Sequence, residues 1–107
     1  MNARRKGNRG EAEFAAIMTA AGFDSHRNNQ WIPGGGYANP DVSSNGLENL
    51  HFEIKRVEKL NISQAMAQAV ADAAGRVPIV AHRRNREEWL ITMRLSDFIA
   101  GLKGDRL

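Results

Sequence analysis

From Leu50 to Val57 the chain alternates: Leu50, Phe52 and Ile54 fall on one side, and His51, Glu53 and Lys55 on the other. A period of two is that of a β-strand, so the apolar side must lie against a core. The second side carries an acid and a base two residues apart, whose side chains leave the sheet about 7 Å from each other, near enough to act on one phosphate group. Eleven residues separate this Glu53-Ile54-Lys55 from Pro40-Asp41. A short strand beginning at Asp41 and ending near Ser43 would sit beside Leu50–Val57 and bring Asp41 to Glu53 across the sheet.

The rest of the pattern predicts an α/β fold in the order helix, three strands, helix, two strands, helix, with a central mixed sheet and helices on both faces. A basic lead over residues 1–9 precedes a helix from Glu11 to about Ala21, closed by Gly22. On a wheel of 100° per residue Phe14, Ala15, Ile17, Met18 and Ala21 share one broad arc with Glu11, and Glu13 lies on the other side. An acid on a core-facing stripe needs a reason. Asp24 to Trp31 is weakly strand-like, Pro33-Gly34-Gly35-Gly36 predicts a flexible loop, and Asn45-Gly46 a turn. Asn61 or Ser63 can cap a second helix that runs to about Ala74 and is closed by Gly75. Val77 to Ala81 is an apolar run suited to a buried strand, a charged turn at Arg83–Glu87 leads to a strand Trp89–Met93, and Ser96 can cap a last helix carrying Phe98, Ile99 and Leu102.

At 107 residues the chain has room for a single domain with a modest core. Its 15 Lys and Arg against 12 Asp and Glu leave a net charge of only +3, but the positive residues cluster, which favours a polyanionic partner. With no cysteine, disulfides, thiolate zinc sites and iron–sulfur clusters are excluded. No stretch resembles a signal peptide or approaches the roughly 20 apolar residues of a membrane span, so a soluble, intracellular protein is expected.

Two acids and a lysine on adjacent strand ends can hold a divalent cation against a phosphodiester. An all-oxygen donor set suits Mg²⁺ or Mn²⁺ rather than zinc. These residues resemble the PD-(D/E)xK nuclease superfamily, and within it the archaeal-type Holliday junction resolvases and their phage-borne relatives. Gly10-Glu11, Pro40-Asp41, Glu53-Ile54-Lys55, the helix near Gln64 and the strand Pro78-Ile79-Val80-Ala81 carry the resemblance. It implies a restriction-endonuclease-like fold, metal held by Glu11, Asp41 and Glu53, and a Lys55 that orients water or stabilises the transition state. It also implies a supporting glutamine, for which Gln64 is the choice and Gln68 the substitute. The loop holding Asn28-Asn29-Gln30-Trp31 and the triple glycine is longer and more polar than that pattern. The expected activity is Mg²⁺-dependent cleavage of DNA, with four-way or other branched DNA as substrate. The alternatives are an endonuclease without junction preference, or a nucleic-acid-binding module that has lost turnover.

Each signal has a plainer reading. A Pro-Asp pair is usually a turn, Glu-x-Lys on a strand is usually a solvated face, and Glu11 could serve the dipole of its helix. The conjunction favours the site, because the plainer reading must explain three acids separately. Arg4, Arg5, Lys6, Arg9, Arg83, Arg84 and Arg86 are candidate phosphate contacts or solubilising surface. Trp31 and Tyr37 either stack on unpaired bases or pack locally, and His51 is either a half-buried polar residue or a contact to DNA or a second metal. A resolvase must nick two strands symmetrically with one acid set per chain, so a two-fold dimer is expected, with Trp89, Phe98, Ile99 and Leu102 at its interface.

Overall fold

The computed structural model describes residues 3–28 and 41–104, with side chains from residue 9 onward. Helix α1 (Ala3–Ala20) is followed by β1 (Ser25–Arg27), β2 (Val42–Ser44), β3 (Leu50–Arg56), helix α2 (Ile62–Asp72), β4 (Val77–Arg83), β5 (Leu90–Met93) and helix α3 (Leu95–Leu102). The strands form one mixed sheet in chain order, antiparallel except for the β3–β4 pair. Parallel neighbours require a crossover, and α2 supplies it.

Helices α1 and α2 take the opposite sheet faces that the alternation assigns to them. Leu50, Phe52 and Ile54 of β3 join Val77, Ile79 and Ala81 of β4, Val42 of β2, and Phe14 and Ala15 of α1 in the main core. Val80 points the other way, onto Ala65 and Ala69 of α2. The continuous apolar run of β4 is thereby explained, since a strand covered on both sides has no face to spare for polar residues. The Phe14 ring meets Phe52 at 5.3 Å and Trp89 at 5.7 Å, centroid to centroid, and fastens α1 to the middle of the sheet.

Several boundaries and faces differ from the sequence reading. The basic lead is not separate from α1, whose backbone runs helically from Ala3. Gly10 sits inside that helix because a Cβ there would lie 2.9 Å from the Arg56 Cβ, so only glycine lets α1 approach β3 this closely. Ile17, 47% exposed, and Ala21 fall off the core. Beneath the end of α1 the sheet offers only the three-residue strands β1 and β2, too narrow to cover the whole arc. The α2 cap is Asn61, whose side chain accepts from the Gln64 amide. Ser96 caps nothing: α3 begins one residue earlier at Leu95, with Arg94 in the cap position, and Arg94 Nε donates to Asp97 within the first turn.

Trp89 belongs to the core rather than to a dimer interface. Its ring rests on Phe14, its Nε1 donates to Glu13 at 2.8 Å, and the Arg83 guanidinium lies 6.0 Å from the ring centroid. No described helix is long and apolar enough to cross a membrane. The triple-glycine loop, Trp31, Tyr37 and Pro40 lie outside the described residues, as do the side chains of Arg4, Arg5 and Lys6.

Candidate active site

Asp41 is held where β2 meets β3. Its amide donates to the Phe52 carbonyl and its carbonyl accepts from the Asn28 amide, so the backbone is fixed from both neighbouring strands. The pairing of Val42 with Phe52 puts Asp41 opposite Glu53 on the same face. Beyond that point the carboxylate replaces the main chain, and Asp41 Oδ2 accepts from the Ile54 amide at 2.9 Å. Burial, and next the negative charge of Glu53, push the Asp41 carboxyl up to about 7, with Lys55 acting weakly in the opposite direction.

Glu53 is itself buried, 6% exposed, and Glu53 Oε1 lies 2.9 Å from Nε2 of the buried His51. Glu11 stands at the margin, facing Arg27 Nε at 3.4 Å. Its carboxyl is also raised, first by burial and, more weakly, by Glu53, while Arg27 opposes the shift. The structure thus gathers Glu11, Asp41, Glu53 and Lys55 into one electrostatic neighbourhood. Among the described residues no three His, Asp or Glu side chains form a ready-made metal cage. Each carboxylate leans on a partner from the protein instead: Arg27, the Ile54 amide or His51. The donor set still fits a hard divalent cation, because a partly buried Asp41 whose proton affinity is raised by burial and by the charge of the neighbouring Glu53 is the environment a cation reverses.

Other nominated residues lie apart. Gln64 and Gln68 are exposed on α2, and no described hydrogen bond ties either to the acids. Arg83 is occupied within the fold, with Nε 2.8 Å from Glu13 Oε1 and Nη1 donating to the Glu87 carbonyl. Arg84 pairs with Glu87 at 2.6 Å on the surface, and Arg86 and Arg9 are exposed. His51 is fully buried rather than half-buried, which removes it from DNA contact.

Two residues, and one contact of a third, escape the sequence reading. Glu13, expected on the outer side of α1, gathers Trp89, Arg83 and, at 3.9 Å, Arg56, tying α1 to the ends of β3 and β4 and to the residue before β5. A half-buried tryptophan N–H and two strand-end arginines call for an acceptor, but nothing local to Glu13 marks it as that acceptor. Arg27 was passed over because a three-residue strand shows almost no alternation. The third, His51, was seen, but its link to Glu53 was not, although residues two apart on a strand share a face.

No family model and no curated protein matches the sequence. Among solved structures the chain is similar to Hjc of Archaeoglobus fulgidus, a Holliday junction resolvase from an archaeal hyperthermophile. The match has a TM-score of 0.57 and 23% identity over 81% of this chain and 76% of that one. The chain has the fold of an archaeal Holliday junction resolvase. The restriction-endonuclease-like sheet expected from Pro40-Asp41 and Glu53-Ile54-Lys55 is therefore present, with three helices around five strands among the described residues. In this resolvase-like frame the acids lie where β2 and β3 run side by side, and β4 and α2 close the remaining side of β3.

Proposed function

We propose that this chain is a divalent-metal-dependent endonuclease that hydrolyses DNA phosphodiesters, with four-way junctions as its favoured substrate. The observation that carries the reading is the pairing of partly buried Asp41, just before β2, with buried Glu53 on β3 and Lys55 beside it, in a fold shared with a junction resolvase. Asp41 and Glu53, with Glu11 at the margin, would hold Mg²⁺ or Mn²⁺. When bound, such a metal polarises the scissile phosphate and makes an attacking water more acidic. The Lys55 ammonium offsets charge developing on the phosphate oxygens, and it does so from a half-buried position where water screens it less. Arg9, Arg84 and Arg86 are exposed and suited to the DNA backbone, and the charge of Arg4, Arg5 and Lys6 suits them to the same partner; Arg83 is better suited to holding the fold. Gln64 is exposed on the first turn of α2, and its proposed role is contact with substrate rather than support of the acids.

The active form is proposed to be a two-fold dimer, since each chain offers one acid set and a junction has two strands to nick. Phe98, Ile99 and Leu102 remain the proposed contact, joined by Leu95; all four are exposed on α3.

The test is a panel of labelled four-way junction, splayed duplex, linear duplex and single strand, with and without Mg²⁺. Cleavage confined to Mg²⁺ and strongest on the junction is expected. Equal cutting of linear duplex would remove the junction preference, and no cutting of any DNA would remove the nuclease.

A further inference from the structure

His51 is one of the most deeply buried side chains in the molecule, 1% exposed, and nothing in the proposed chemistry uses it. It stands two residues before Glu53 on the same face of β3, next to the buried Pro78 of β4. Its Nε2 lies 2.9 Å from Glu53 Oε1, and its Nδ1 has no hydrogen-bond partner among the described residues. A core position between two covered faces would more cheaply hold Val or Ile, because a buried ring nitrogen without a partner is destabilising. An ionised carboxylate only accepts hydrogen bonds, so with Glu53 ionised the ring hydrogen sits on Nε2. The unpartnered atom is then a bare acceptor at Nδ1.

We infer that His51 is a positioning residue for Glu53: its Nε2–H occupies Oε1, fixes the carboxylate rotamer, and leaves Oε2 as the oxygen directed to a divalent cation. The inference rests on the proposed metal-dependent cleavage. A ligand held in one orientation loses less freedom on binding metal, and loss of such supporting hydrogen bonds commonly lowers metal affinity about 10–100-fold.

The test compares His51→Gln, whose amide nitrogen reaches about as far as Nε2, with His51→Asn, whose amide stops short. Mn²⁺ binding is followed without DNA by loss of the free-ion electron paramagnetic resonance signal. His51→Gln should bind within about threefold of wild type and His51→Asn at least about tenfold more weakly. In cleavage, His51→Asn should raise the half-saturating Mg²⁺ concentration, while the rate at saturation and DNA affinity in a chelator stay near wild type. Wild-type Mn²⁺ affinity in His51→Asn, or equal losses in both variants, would overturn the positioning role and leave the nuclease reading standing. If His51→Asn does not fold, a folded His51→Gln with tenfold weaker Mn²⁺ binding overturns it equally. A wild-type protein that neither binds Mn²⁺ nor cuts DNA would instead remove the functional reading itself.

Discussion

The β2–β3 junction and the α3 end of the molecule break opposite rules. At the junction, Asp41, His51 and Glu53 are polar groups withdrawn from water, two of them acids of like charge. On α3, Leu95 and Leu102 are 70% and 71% exposed, with Phe98 and Ile99 also exposed on the same helix. Both arrangements lower the stability of the isolated chain. Buried acids are a feature of sites that bind or react, and clustered exposed apolar groups a feature of surfaces that meet a partner. The molecule places the two at separate positions, so each can be altered without disturbing the other.

The largest effects are expected at the acids and the lysine. Lys55→Ala and Glu53→Gln should each lower the cleavage rate by about 10³-fold or more, with junction affinity in Ca²⁺ within about threefold of wild type, measured by gel shift and single-turnover cleavage. On α3, Phe98→Asp should convert dimer to monomer by light scattering at micromolar protein and leave the thermal midpoint within a few degrees. Phe14→Ala, in the core, should cost about 3–5 kcal/mol in urea unfolding, because the ring lies against both Phe52 and Trp89. A Phe98→Asp protein destabilised as much as Phe14→Ala would place α3 in the core instead.

A smaller effect sharpens the contrast. The Asp41 carboxyl titrates near 7 in the folded protein against an ordinary 3.8, so the folded state binds this proton more tightly than the unfolded chain does. The stability from this group is fully present below about pH 4 and is lost as pH rises through about 7. Metal-free protein should therefore lose stability over that window, and added Mg²⁺ should restore more of it at about pH 8 than at about pH 5. Smallest is the basic segment: removal of residues 1–6 should flatten the salt dependence of DNA binding equally for every DNA shape, with little change in cleavage at saturating protein.

Much of this was legible in the chain. The alternation at Leu50–Arg56 and the apolar run at Val77–Ala81 gave two central strands, because side-chain period and burial on one or both faces are local properties. Pro40-Asp41 and Glu53-Ile54-Lys55 gave the acids and the lysine that the sheet brings together. The carboxylate of Asp41 standing in for a backbone acceptor at Ile54 was not legible, nor was Glu13 as the acceptor for Trp89, since each depends on residues 13 and 76 positions apart. Arg83 was read as free because a charge run looks the same in sequence whether it faces solvent or folds onto α1.

Asp41 is the proposed metal ligand whose burial lowers the stability of the metal-free fold at neutral and higher pH, and Asp41→Asn tests both properties in one protein. An asparagine can still accept from the Ile54 amide while removing the charge that Glu53 opposes. The thermal midpoint and urea stability of wild type and Asp41→Asn should be compared at about pH 8 without metal, alongside junction cleavage in Mg²⁺. The variant should be more stable by about 1–3 kcal/mol, should gain nothing from Mg²⁺, and should not cut. A variant that is less stable than wild type, or one that cleaves at the wild-type rate, would contradict the claim.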